Sequence, residues 1–205
     1  MSGVVTLLAA LFFGLTVCTT AFPGRSAQWI ADLSGLDVRA HFERPLLFLL
    51  SSFFEKLPLP GSTALHFNLL AAFFGALLVG SVFRIVWSVV TEYMCGEETI
   101  ASASRVARFA AWTAALCTTF TLPVWAASTR FNPEILDAAL FFLLLDLFVL
   151  YVRTPNPMWP ICFSLIYGVW MGESATFVIA FPFVFLLWLI TERILLGDFW
   201  HSRVW

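Results

Sequence analysis

The chain has 205 residues, of which 60% are hydrophobic and 12% charged, and its mean hydropathy is +0.90. A soluble domain is less apolar and more charged, so this composition predicts an integral membrane protein whose first partner is the lipid bilayer. Lys and Arg number 11 against 13 Asp and Glu, which excludes the basic footprint of nucleic-acid binding. The four cysteines have no paired spacing and predict neither a disulfide framework nor a metal site.

Six apolar runs are candidates for crossing the membrane, separated by polar or Pro-rich breaks. They predict an all-α, polytopic membrane protein that forms one membrane domain over residues 1–205, with spans at approximately 3–22, 64–91, 106–127, 134–152, 158–172 and 176–195. The fifth run is short and lies close to the sixth. We therefore expect these two runs to form a helical hairpin.

The first run, 3–22, has two interpretations. It lacks the Lys or Arg of a signal-peptide n-region and exceeds the usual signal core of about 7–15 residues, which favours a retained anchor, although Thr19 and Ala21 suit a cleavage site. Outside the first loop, most Arg residues lie on the side of the N-terminus. This bias predicts a cytoplasmic N-terminus and an extracytoplasmic first loop.

The first loop, 23–63, begins with a predicted amphipathic helix. Pro23 and Gly24 form a turn pair, and Ser26 suits an N-cap. Apolar side chains then recur on one helical face, at Trp29, Ile30, Leu33 and Leu36. We expect this helix to lie in the membrane interface and to end near Gly35.

A charged elbow follows, made of Asp37, Arg39, His41, Glu43 and Arg44. Pro45 suits the first turn of a second helix. The apolar run 46–54 is too short to cross a bilayer core of roughly 30 Å, so it is predicted to be re-entrant, interfacial or packed on other helices. The loop would present its polar groups at the lipid–water boundary. The alternative is that its charges only solvate the loop and anchor it at the interface.

The order of these features resembles the N-terminal region of the DUF2723 family of membrane proteins, which is related to protein O-mannosyltransferases of the GT-C class. The similarity covers most of 22–90 and, more loosely, 163–190, where "YGVWMGESATFVIAFPFVFLLWLI" looks like the family's glycine-containing helix and Pro-containing span. Its distinctive positions are Pro23, Gly24, Ser26, Asn68, Leu69 and Gly75.

The resemblance implies a transferase that moves a sugar from a polyprenyl-phosphate carrier to a protein or glycan acceptor on the extracytoplasmic side. An acidic residue of the first loop typically takes the acceptor proton or binds a metal in such enzymes, and cationic groups steady the phosphate. The loop acids that can take the catalytic role here are Asp32, Asp37 and Glu43. The candidate substrate-binding residues are Arg25, Gln28, Arg39, His41, Arg44 and Glu173. The cofactor is unknown, and no metal ligands are assigned.

The chain departs from the family pattern where the usual loop acids stand. Arg25 and Gln28 occupy those places, and neither a guanidinium nor an amide serves as a general base at neutral pH. The runner-up hypothesis is therefore a non-catalytic membrane module, a degenerate or truncated relative that acts as an assembly partner. A small transporter finds no support, because the spans show no inverted repeat.

Polar residues inside the apolar runs are the remaining candidates. Asp146 lies deep in the fourth run and is by default a functional candidate, and the alternative is that it lies near the inner interface and pairs with Arg153. Arg84 in the second run is a further candidate partner for Asp146, from depth alone. Glu173 lies in the turn between the last two runs and is expected to face the first loop. Small residues four apart on the second and third runs predict close helix packing, at Ala71 and Gly75, Ala76 and Gly80, and Ala107 and Ala111.

Overall fold

A computed structural model describes residues 1–34, 44–58, 60–94, 100–154, 156, 158–173 and 175–203. Within these residues the secondary structure is all α. The helices are α1 Ser2–Thr16, α2 Arg25–Leu33, α3 Pro45–Glu55, α4 Thr63–Met94, α5 Ile100–Phe120, α6 Leu122–Thr129, α7 Pro133–Arg153, α8 Met158–Met171 and α9 Ala175–Arg203.

The long helix α4 is the centre of the bundle, and α1, α3, α5, α6 and α7 all pack against it. α8 packs on α7, and α9 packs on α8. Two glycines let the neighbours approach α4: a Cβ at Gly75 would collide with Ser128 of α6, and a Cβ at Gly80 with Thr6 of α1. The predicted close packing of the small residues on this helix is confirmed.

One buried amide joins three segments of the chain. The side chain of Asn68 on α4 donates to the carbonyl oxygens of Cys18 (2.8 Å) and Thr20 (3.2 Å), and it accepts from the backbone N–H of Phe131 at 2.7 Å. The end of α1, the beginning of α4 and the beginning of α7 therefore lie together. Because α2 and α3 connect α1 to α4, we call this the α2–α3 end of the bundle.

The predicted span 106–127 is two helices and not one. α5 ends at Phe120, Thr121 has extended backbone angles, and α6 leaves at 62° to α5. Pro123 explains the break, because its ring supplies no N–H for the helix ladder and would collide with the carbonyl of the residue four positions earlier, whereas proline is tolerated in the first turn of a new helix. The first predicted span is also shorter than expected, since α1 ends at Thr16.

By length and apolar composition, two helices can cross a membrane, α4 and α7, and the bent α5–α6 pair raises the number to three in the described part of the chain. α1 and α8 are apolar but have 15 and 14 residues, which reach only about 21–23 Å at 1.5 Å per residue. The apolar helices support an integral membrane protein. The count of six crossings stays a prediction.

The amphipathic character of α2 is confirmed, and its apolar face is directed into the bundle. Ile30 and Leu33 are buried in the main core together with Leu47 of α3, Phe67 of α4 and Leu136 of α7. Pro45 begins α3 as expected. α2 and α3 are thus packed on the bundle, whereas the re-entrant and interfacial placements of this loop stay predictions.

Candidate functional site

A buried carboxylate closes the beginning of α3. Glu173 lies in the turn after α8 and is 2% exposed, and its Oε2 and Oε1 accept the backbone N–H groups of Leu46 (2.7 Å) and Leu47 (3.1 Å). These amides have no partner within α3, because the first N–H groups of a helix point out of its end. A negative charge there is also favoured by the helix dipole. Glu173 therefore contacts the first loop, and the extracytoplasmic position of its turn stays a prediction.

The charge on Glu173 is opposed by its burial. Loss of water raises the pKa of this carboxyl above its ordinary value, and the carboxylate of Asp137 adds to that rise. The two amide donors on α3 and the guanidinium of Arg44 act in the opposite direction, and burial outweighs them. Glu173 is therefore an acid whose protonation state is linked to the attachment of α3.

Arg44, the residue before α3, is held by two other elements. Its Nη1 donates to Oδ2 of Asp137 on α7 at 3.1 Å, and the two side chains are 20% and 21% exposed. Its guanidinium carbon lies 5.8 Å from the ring centre of Trp29 on α2. Asp137 also accepts, at Oδ1, the indole Nε1–H of the buried Trp170 on α8 at 3.2 Å. We call Arg44, Asp137, Trp170 and Glu173 the α3 clamp.

The α3 clamp gathers two of the predicted site residues, Arg44 and Glu173. Of the others, Arg25 and Gln28 are exposed on α2, and Asp32 is half-buried near the end of that helix. Asp37, Arg39, His41 and Glu43 lie outside the described residues. The assignments of catalytic and substrate-binding roles to these side chains stay predictions.

The predicted N-cap of α2 is wrong. Gly24 occupies that position with φ +101°, a left-handed conformation that suits glycine, and no side chain caps the helix. Ser26 lies within the first turn, and its Oγ is buried without a hydrogen-bond partner in the described residues. The turn pair Pro23-Gly24 therefore sets the start of the helix by its backbone conformation.

Asp137 and Trp170 were missed by sequence reasoning. Asp137 follows the Asn132-Pro133 cap of α7 by one turn, at the same end of the bundle as Glu173. The position of both acids at this end of the bundle was the sequence signal that could have identified Asp137. Trp170 stands in a run of aromatic and aliphatic residues, where nothing distinguishes a hydrogen-bonded indole from an ordinary apolar side chain.

An apolar cavity of about 180 Å³ lies next to the α3 clamp, between α7, α8 and α9. Trp170 belongs to both places, because its Nε1–H reaches Asp137 while its ring lines the cavity. The other walls include Leu144, Phe163, Tyr167, Phe177 and Trp188. A polar site at the end of the bundle thus adjoins a space suited to an apolar chain.

Toward the other end of the bundle, a second ion pair joins α4 to α7. Nε of Arg84 lies 3.1 Å from Oδ2 of Asp146, as depth in the sequence predicted, and Asp146 is 2% exposed while Arg84 is 43% exposed. Oδ1 of Asp146 is buried without a hydrogen-bond donor among the described residues. Arg153 and Glu92 form a third, more exposed pair at 3.2 Å.

In the described ranges, no three His, Cys, Asp or Glu side chains are placed to hold a metal ion. The charged groups of the α3 clamp instead form hydrogen bonds to one another and to α3. These groups can fix the loop, and they present the partly exposed guanidinium of Arg44 and carboxylate of Asp137 beside α2.

Comparison with known proteins assigns the chain to a family. No curated protein and no solved structure gives a significant match. A family model described as "Protein O-mannosyl-transferase TMEM260 N-terminal domain" matches residues 29–196, which include α3, α4, α7, α8 and the whole α3 clamp. The match supports the relation to protein O-mannosyltransferases, while the DUF2723 assignment itself stays a resemblance. The chain belongs to the TMEM260 N-terminal domain family of protein O-mannosyl-transferases.

Proposed function

We propose that the chain is the membrane domain of a sugar transferase that takes its donor from a polyprenyl-phosphate carrier and delivers the sugar to a protein or glycan acceptor on the extracytoplasmic side. The family match supports a glycosyltransferase-like function. The observation that carries the finer proposal is the docking of α3 by the α3 clamp, because it holds the last residue of the charged elbow, Arg44, at the end of the bundle.

The donor chemistry fits the neighbourhood of that site. A polyprenyl-phosphate sugar has a charged phosphate and a long apolar chain, so it needs cationic groups beside an apolar space. Arg44 is partly exposed, Arg25 is exposed, and the cavity bordered by Trp170 is apolar. The role proposed for the two arginines is to steady the phosphate as it leaves the sugar.

The acceptor needs a base. Its hydroxyl loses a proton as it attacks the sugar, and a carboxylate within hydrogen-bond reach can take that proton. The proposed candidates are Asp32, which is half-buried on α2, and Asp37 and Glu43 of the elbow. Gln28, Arg39 and His41 are proposed to bind substrate from the same loop.

A transfer assay tests this proposal. The purified chain in lipid vesicles is given polyprenyl-phosphate mannose and Ser/Thr-containing peptides, and mannosyl-peptide is measured. Loss of a general base typically lowers a rate by about 10²–10⁴-fold, so at least one of Asp32→Asn, Asp37→Asn and Glu43→Gln should show such a loss. Glu55→Gln, an exposed acid at the far end of α3, is the control. The proposal fails if the wild-type chain transfers no mannose or if all three variants keep its rate.

The alternative function is a non-catalytic membrane module. Arg25 favours it, because an exposed guanidinium begins α2 where the family usually has an acid. A module of this kind binds the lipid-linked sugar or an assembly partner without turnover. In the same vesicles it would retain the donor and form no mannosyl-peptide.

The proposed topology has six crossings, with the α2–α3 end outside and the N-terminus in the cytoplasm. Single cysteines at Glu55, by the α2–α3 end, and at Thr154, by the opposite end, test it after the native cysteines are replaced. An impermeant maleimide should label Glu55→Cys on intact cells and Thr154→Cys only after the membrane is opened. The reverse pattern would overturn the orientation.

A further inference from the structure

The α3 clamp contains two groups that the proposed chemistry does not use, the carboxylate of Asp137 and the indole N–H of Trp170, and a third, Glu173, whose geometry differs from that of a substrate ligand. Both oxygens of Glu173 accept backbone N–H groups of α3, and the residue is 2% exposed. It cannot turn to a ligand without leaving those two amides uncapped. The carboxylate of Glu173 therefore uses both of its oxygens to bind the first loop.

The beginning of α3 depends on this distant carboxylate. Arg44 is the N-cap residue of α3 and its side chain makes no capping hydrogen bond, while Pro45 has no N–H group. The next two amides, of Leu46 and Leu47, both reach Glu173, which lies 127 and 126 residues away along the chain. A residue of the α8–α9 turn thus does what a local cap normally does.

Full burial is limited to two residues of α3. Of its eleven residues only Leu47 and Ser51 are buried, and Phe48, Leu49 and Phe53 are exposed. Leu47 belongs to the very turn that Glu173 caps. Leu50 and Phe54 add partly buried apolar contacts with the same core, and the first turn supplies the contacts with Glu173.

Two other elements hold Arg44, the residue at the start of this turn. Arg44 contacts Asp137 of α7 and the ring of Trp29 on α2, and Trp170 of α8 donates to the other oxygen of Asp137. These contacts set the position of Arg44 relative to α2 and α7.

We propose that the α3 clamp sets the position of Arg44 for the transfer reaction, so that Asp137, Trp170 and Glu173 are positioning residues that act through α3 and Arg44. The role in the reaction rests on the proposed function. The attachment of α3 does not. A shift of about 1 Å in a reacting group can lower a rate by roughly a hundredfold, so a loosened clamp should disturb catalysis without removing any group that contacts substrate.

Hydrogen–deuterium exchange of the full chain in lipid nanodiscs tests the attachment. Glu173→Gln keeps the size of the side chain but presents an NH₂ group to one of the two amides, so peptides covering 44–55 should exchange several-fold faster. Trp170→Phe, which keeps the ring and removes the donor to Asp137, should have a smaller effect in the same peptides. Glu134→Gln, an exposed acid at the start of α7, is the control and should exchange as the wild type does.

Product partition tests the positioning role. Transfer breaks the bond between sugar C1 and the phosphate oxygen and forms a bond from C1 to the acceptor oxygen, whose proton goes to the base. When water attacks instead, free mannose is released with the same polyprenyl phosphate. Both products require the folded chain, so their ratio does not depend on the fraction that is folded. Glu173→Gln should lower the ratio of mannosyl-peptide to free mannose roughly tenfold.

The two measurements separate the possible failures. If Glu173→Gln leaves the exchange of 44–55 unchanged, or speeds exchange equally in α4 and α7, the α3 clamp is wrong whatever the wild-type chain transfers. If exchange rises in 44–55 alone while the wild-type chain transfers no mannose, the attachment stands and the proposed function falls. An unchanged product ratio in an active enzyme with faster exchange overturns the positioning role.

Discussion

Each end of the α4–α7 helix pair has a carboxylate of α7 that pairs with an arginine, but the two carboxylates have different structural roles. Toward the far end, Arg84 and Asp146 join two helices that already pack along their length, and Oδ1 of Asp146 has no hydrogen-bond donor among the described residues. At the α2–α3 end, both oxygens of Asp137 have donors, from Arg44 and Trp170, and they come from elements distant in sequence.

The difference concerns what each carboxylate connects. An ion pair between packed helices neutralises a buried charge, and its removal changes stability. A carboxylate that accepts from a loop and from another helix decides where the loop lies. The first kind of pair is therefore best tested by stability, and the second by local exchange and by coupling between side chains.

The largest effect is expected from breaking the buried pair. Arg84→Ala leaves Asp146 charged and 2% exposed, or forces it to take up a proton, and should destabilise the chain by about 3 kcal/mol. Arg84→Ala combined with Asp146→Ala removes both charges and should restore much of that loss. Thermal unfolding in detergent measures both. Arg153→Ala, whose partner Glu92 is exposed, is the control and should cost at most about 1 kcal/mol. Equal losses from the two arginines would contradict the comparison.

Asn68 should give the next largest effect, at the α2–α3 end. Asn68→Ala leaves two carbonyl groups and the N–H of Phe131 without their partner in a buried place, and we expect a loss of about 2 kcal/mol. Asn132→Ala removes an exposed helix cap and should cost about 1 kcal/mol. The same unfolding measurement applies, and an Asn68→Ala loss no greater than that of Asn132→Ala would show that the amide does not join the three segments.

Much of the fold follows from local pattern. Long apolar runs give α4 and α7, the Pro23-Gly24 turn begins α2, and Pro45 begins α3. The errors arise where tertiary contacts decide. α1 stops at Thr16, and the following Cys18 directs its N–H to the carbonyl of Thr129, a partner on α6 that no local pattern reveals.

The candidate site shows the same limit more strongly. The Arg84–Asp146 pair could be predicted because charges are rare in apolar runs and depth restricts their partners. Arg44 had several charged neighbours in its own loop, and its observed partner Asp137 is 93 residues away. Which of many acids reaches it depends on how α7 packs against α4, which is a property of the assembled core.

The pH dependence of stability should reveal Glu173. Its pKa is raised by burial from an ordinary value of 4.5, so the folded chain holds this proton to higher pH than the unfolded chain. The contribution to stability is fully present below pH 4.5 and is lost as pH rises through the folded pKa, with a slope no steeper than about 1.4 kcal/mol per pH unit. Unfolding free energy measured from pH 4.5 upward should therefore fall for the wild type relative to Glu173→Gln. Glu173→Ala also lacks the carboxyl, so the unfolding free energy of the wild type should fall with pH relative to this variant as well. If the curves of the wild type and the two variants run parallel, the raised pKa of Glu173 is contradicted.

The smallest effect is expected between Arg44 and Asp137, and it bears most directly on the loop. Both side chains are about one-fifth exposed, so solvent weakens their attraction, and a double-mutant cycle with Arg44→Gln and Asp137→Asn should give a coupling of about 0.5–1 kcal/mol. Salt should reduce this coupling, since partly exposed charges are screened. Arg44→Gln with Glu134→Gln is the matched control cycle, because Glu134 is an exposed acid on the same helix as Asp137. A coupling near zero in the first cycle would mean that the Arg44–Asp137 pair does not hold the loop, and Glu173 would then be the one carboxylate that attaches this turn where the structure shows two.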